Sequence, residues 1–107
     1  MSLLLVFTNP VDGDEEAFNR WYDDVHLDEV LQVPGFVAAE RFRLTEEQMG
    51  PEERGYRYLA IYEVEGDPAQ AFEELQKAAP NMDMSPAMDP TTYTAHFEPF
   101  GRGRVSA

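Results

Sequence analysis

His26 stands in the run Trp21-Tyr22-Asp23-Asp24-Val25-His26 and is one of only two histidines in this 107-residue chain. Imidazole takes up and releases a proton near neutral pH, which suits enolisation, cyclisation or oxygenation of an activated phenol. At helical spacing, Phe18, Tyr22, Val25 and Glu29 share one face, and Trp21 and His26 flank it. His26 can therefore look into a space between helix and sheet, or rest half-exposed beside Asp23 at a helix end. Glu29 sits near the centre of the same stripe. It either orients His26 from one turn away and serves as a base itself, or the helix breaks near Leu27 and releases it to solvent; the break is preferred.

The remaining polar and aromatic candidates carry two readings each. Trp21 and Tyr22 bring large apolar area with a polar tip, as a pocket for an aromatic ligand needs, and as an ordinary core also needs. Tyr56, Tyr58 and Tyr62 alternate along one segment, either as a cavity wall of phenol donors or as a surface that meets another subunit. His96, between Ala95 and Phe97, points toward His26 or outward at an edge. Arg41 is an anion anchor or an exposed salt-bridge partner. Met82, Met84 and Met88 form an adaptable lid or pack as a loop on the core.

Several chemistries are excluded or unsupported. The chain has no cysteine, so disulfides and thiolate chemistry are absent. His26, Asp28 and the pair Asp23-Asp24 do not supply the convergent ligands a metal needs, and no bound metal is expected. There is no glycine-rich phosphate cradle, nucleophile elbow or dinucleotide fingerprint. A formal net charge of -13, with Lys77 the single lysine, opposes binding to nucleic acid or anionic membrane. The apolar run Leu3 to Phe7 is too short for a membrane span and lacks a basic flank, so a cytoplasmic location is expected.

These residues must be positioned by a short series of elements. Leu3 to Thr8 is a continuous apolar strand bounded by Asn9-Pro10. Asp12 or Asp14 caps the helix that follows, Glu15 and Glu16 favour its positive end, and Pro34-Gly35 stops it. Phe36 to Leu44 alternates as an outer strand, with Phe36, Ala38, Glu40 and Phe42 on one face and Val37, Ala39, Arg41 and Arg43 on the other. Thr45 to Gly55, with Glu46, Glu47, Glu52 and Glu53, is a polar connection. Tyr56 to Val64 is a second central strand, with Leu59 and Ile61 opposite the tyrosines. Asp67-Pro68 starts a helix with Ala71, Phe72 and Leu75 on its buried stripe. Residues 80–90 form a loop, Thr91 to Phe100 the last strand, and 101–107 a frayed tail.

The order β-α-β-β-α-β predicts a single α+β domain over residues 1–107. It is a ferredoxin-like, four-stranded antiparallel sheet with the first and third strands central and both helices on one face. The other face then carries bulky apolar side chains and needs a cover, for which sheet-to-sheet homodimerisation is the natural solution.

With that order, Phe18, Trp21-Tyr22, His26, Val33-Pro34-Gly35-Phe36 and Tyr58-Leu59-Ala60-Ile61-Tyr62-Glu63-Val64 resemble the dimeric α+β barrel superfamily, most closely its EthD-like members, over residues 3 to 100. The acidic connection 45–55 and the Met-rich segment fall outside that motif. The resemblance implies a small homodimeric enzyme of the oxygenase, cyclase or isomerase type. It would act without an organic cofactor on a hydrophobic aromatic or polyketide-like molecule. In that reading His26 is the acid-base group with Glu29. Tyr58 donates to a developing oxyanion, and Phe18, Trp21, Tyr22, Tyr62 and His96 line the ligand space. A rival reading is a non-catalytic ligand-binding or accessory protein of the same fold; haem ligation by His26 or His96 ranks last.

Overall fold

The computed structural model describes residues 1–51 and 55–107. Four strands, β1 (Ser2–Thr8), β2 (Phe36–Arg43), β3 (Tyr58–Val64) and β4 (Tyr93–Phe97), form one antiparallel sheet in the order β2-β3-β1-β4. The two strands read as apolar on both sides, β1 and β3, are the central pair, as expected for a split βαβ arrangement.

Helix α1 (Glu15–Trp21) runs through a π-helical turn (Tyr22–His26) into α2 (Leu27–Leu31). The π turn inserts one residue into the helical repeat and rotates everything after it by about 100°. The buried stripe therefore passes from Phe18 and Tyr22 to Val30 and Val33, and Glu29 leaves its centre. The break expected near Leu27 does not occur: the helix runs on through it, the phase shifts at the π turn instead, and Glu29 keeps only 22% side-chain exposure and is hydrogen-bonded.

Gly35 follows at φ +99°, and a Cβ there would meet the Ala71 Cβ at 2.7 Å. This glycine thus serves both the turn and the close approach of the second helix, α3 (Pro68–Ala78). Asp67 caps α3 by accepting from the Ala69 N–H at 3.0 Å, with Pro68 in the first turn. A 3-10 turn, Ala79–Asn81, extends the helix toward the 80–90 loop.

The register assigns the sheet faces. Leu4, Val6, Ala39, Arg41, Tyr58, Ala60, Tyr62 and His96 share the helix side, and Leu3, Leu5, Phe7, Phe42, Leu59, Ile61, Tyr93 and Phe97 share the open side. Two expected positions are corrected. A bulge between Phe36 and Ala38 turns Phe36 into the core at 3% exposure and leaves Val37 out, so the alternation read across residues 36–43 begins only at Ala38. Tyr56 precedes β3 and packs on Phe7 and Tyr93 of the open side, away from Tyr58 and Tyr62. The polar connection is exposed over 45–51 and at Gly55; Glu52 and Glu53, read as part of it, lie outside the described residues.

Candidate functional site

The rings of the first helix pack on the helix side of the sheet. Phe18 is fully buried, Tyr22 and Tyr62 nearly so, and Trp21 is 9% exposed. Phe18 meets Trp21, Tyr22 and Tyr58 at centroid distances of 6.4, 5.6 and 5.4 Å. The layer expected to enclose a ligand is filled here by side chains. Burial pushes the Tyr22 phenol up from its ordinary value and the Tyr62 phenol well up, so both keep their protons. The Tyr62 hydroxyl is buried, with the Tyr22 hydroxyl beside it and no well-formed hydrogen bond to any other described residue.

At the edge of this layer His26 stacks on Trp21 at 4.7 Å and meets Tyr22 edge-on at 5.2 Å. Its Nδ1 lies 3.3 Å from Glu29 Oε1. Glu29 Oε2 accepts from the backbone N–H of Asp83 at 2.6 Å, and the Asp83 carbonyl accepts from Trp21 Nε1 at 2.6 Å. One residue of the 80–90 loop is thus held by both its backbone polar groups, by side chains from either end of the π turn. Burial lowers the His26 pKa, and the Glu29 hydrogen bond opposes that shift without reversing it. His26 is consequently neutral at pH 7. With both Glu29 oxygens accepting, the network assigns the proton to Nδ1 and leaves Nε2 basic.

Glu29 also fronts an open groove of about 450 Å³ between α2 and α3. Val33, Pro34, Ala78 and Met82 supply its apolar wall, and Gln32, Glu74, Lys77 and Asn81 its polar rim.

Tyr58, expected beside His26, lies in a second network. Its hydroxyl donates to Glu15 in a short hydrogen bond and accepts from Asn19 Nδ2 at 3.1 Å. The Tyr58 hydroxyl, then Arg57, hold the Glu15 carboxyl below its ordinary value. Arg41 joins the same corner. It donates to Asp23 and Asn19 at 2.9 Å each and lies 4.4 Å from the Tyr22 ring centroid. His96 is elsewhere: it is exposed on β4 and meets Phe72 of α3 edge-on at 5.0 Å.

The structure therefore brings together Trp21, Tyr22, His26 and Glu29, with Phe18 and Tyr62 packed behind them, and places Tyr58 and His96 apart. Sequence reading passed over Asp83, which acts through its backbone and leaves no side-chain signal. It also undervalued Arg41, whose side chain is 12% exposed where a solvated salt bridge was preferred. The signal was its parity on β2, shared with Ala39. Of the methionines, Met82 and Met88 pack against the core and Met84 is 47% exposed. Among the described residues no three His, Cys, Asp or Glu side chains converge to hold a metal, and no helix is long and apolar enough to cross a membrane.

No family model and no curated protein sequence matches the chain. Solved structures do. A variant of MhuD holding two manganese protoporphyrin IX molecules per active site superposes with a TM-score of 0.68 at 14% identity over the whole of both chains. The haem degrader MhuD from Mycobacterium tuberculosis, with two haems in its active site, gives 0.61 at 18% identity over 99% of this chain and 100% of that one. An ethyl tert-butyl ether D (EthD) family protein from Bacillus halodurans gives 0.53 at 14% identity over 94% and 100%. At these identities the likeness is one of fold. The chain has the ferredoxin-like fold of the dimeric α+β barrel proteins, the fold the EthD protein and MhuD also have.

Proposed function

We propose that this protein is a small homodimeric enzyme that works on a hydrophobic aromatic or polyketide-like molecule without an organic cofactor, with His26 as proton acceptor and Glu29 orienting it. The observation that supports the reading is the His26–Glu29 pair: an imidazole kept neutral by burial, stacked on Trp21 and hydrogen-bonded to Glu29, the one member of the pair that lines a groove of ligand size. The filled interior directs the ligand to the groove, against Val33, Pro34, Ala78 and Met82. A weakly acidic phenol or a carbon acid beside a carbonyl gives up its proton to Nε2, and the Glu29 carboxylate stabilises the imidazolium that forms.

The homodimer is proposed through the open side of the sheet. Phe42, Tyr93 and Phe97 are 42%, 42% and 57% exposed there, next to Leu3, Leu5, Phe7, Leu59 and Ile61. An apolar face of this kind is stable in water when a second copy covers it. Light scattering is expected to report twice the chain mass of 12.2 kDa.

The catalytic reading is tested by incubating the protein aerobically with a panel of polycyclic phenols and following product by chromatography. Turnover that falls at least about a hundredfold in His26→Ala supports general-base catalysis. Turnover unchanged in His26→Ala sinks it. Phenol binding that survives His26→Ala but weakens in Trp21→Ala, without turnover in either, supports the accessory-protein reading instead. The MhuD likeness gives a second reading, haem as the bound molecule, whose signature is a Soret band on addition of haem to the purified protein.

A further inference from the structure

A cleft of about 540 Å³ opens at the β2 edge of the helix side, lined by Asn19, Asp23, Arg41, Phe42, Arg43 and Tyr58. It shares no lining residue with the α2–α3 groove. The chain has only eight lysines and arginines against twenty-one acids, yet Arg41, Arg43 and Arg57 gather at this corner around Glu15 and Asp23. Such a local excess of cations on an acidic protein draws in small anions.

Arg41 is built differently from the other cations. Its side chain is 12% exposed, against 47% for Arg57, 62% for Arg20 and 64% for Lys77. The guanidinium plane rests on Tyr22 at 4.4 Å, with the Tyr58 and Phe18 centroids at 5.3 and 5.5 Å. Asn19 Oδ1, itself tied through Nδ2 to Tyr58, fixes one arm at 2.9 Å. The other arm holds Asp23, whose side chain is 59% exposed and free to swing into water. A rigid, ring-backed guanidinium with a removable counter-ion at its mouth is the arrangement a planar carboxylate needs.

We propose that this cleft binds an aromatic carboxylate. The ligand carboxylate replaces Asp23 on Arg41 and is attracted by Arg43, and its ring lies at the β2 edge beside Tyr58. The proposal is independent of the His26 chemistry, because binding alone reads it.

The test is calorimetric titration of the full chain with 1-naphthoate, and with 1-naphthamide as the neutral isostere, at low and moderate salt. Naphthoate is expected to bind, more weakly as salt rises, and naphthamide at least about tenfold more weakly. Asp23→Asn removes the internal competitor from an exposed position. It is expected to tighten naphthoate by about fivefold, the worth of a surface ion pair, without changing naphthamide. Arg41→Gln is expected to abolish the preference for the carboxylate. Equal binding of the two probes, or naphthoate affinity unmoved by Asp23→Asn, overturns the proposal without relying on the fold of the Arg41 variant. Binding of neither probe overturns it as well.

Discussion

The two sides of the sheet are made from alternate residues of the same strands, yet they end in different states. On β3, Tyr58, Ala60, Tyr62 and Val64 are 8%, 1%, 2% and 1% exposed, because α1, the π turn, α2 and α3 lie over them. Leu59 and Ile61, one residue along, are only partly covered, and the aromatic group Phe7, Tyr56 and Tyr93 faces outward beside Phe97. The sides do not differ in greasiness. They differ in that the chain's own helices cover one side and leave the other open, and a side already covered by its own helices has little room left for a ligand. The two proposed sites therefore lie at the margins of the helix layer: the His26–Glu29 seam on one margin, the Arg41 cleft on the other.

The sharpest test of that contrast is a pair of substitutions. Phe18→Ala empties a fully buried site and should cost about 3–5 kcal/mol in urea unfolding. Ile61→Glu, on the open side, should leave the circular dichroism spectrum intact while sedimentation shifts from two chains to one. Equal destabilisation with no change of mass would erase the distinction between the two sides.

A smaller effect comes from the seam. The folded chain holds His26 below the ordinary value of 6.5, so the unfolded chain binds its proton more readily. Stability should be level above pH 6.5 and fall as pH drops through the lowered value. A His26→Gln variant should lack that part of the slope when denaturation midpoints are compared across pH. A slope of the opposite sign would mean that Glu29 outweighs burial.

The smallest effect is expected at Tyr62. Its buried hydroxyl has only the Tyr22 hydroxyl beside it, so Tyr62→Phe should change stability by less than about 1 kcal/mol. A loss of several kcal/mol would show that this oxygen is bonded in solution.

Much of the scaffold was legible because it rests on local rules. A continuous apolar run marks β1, Asp67-Pro68 starts α3, and Pro34-Gly35 stops the first helix, each through backbone chemistry confined to a few residues. The site was legible only in part. Trp21, Tyr22, His26 and Glu29 were readable as one helical group, but the fate of Glu29 was not, since an inserted residue in a helix has no compositional mark. Nor could alternation foresee the bulge that draws in Phe36, or the strand start that leaves Tyr56 on the other side.

By itself the sequence determined the order of elements, the central strands and which residues carry protons or charge, because propensity, capping and periodicity act between near neighbours. Tertiary structure alone decided that the backbone of Asp83 would meet Trp21 and Glu29, that Tyr58 would answer to Glu15, and that Arg41 would lie on Tyr22. Those contacts join residues 19 to 62 positions apart. Their partners are chosen by packing in three dimensions, where burial turns an ordinary polar group into one that must be satisfied.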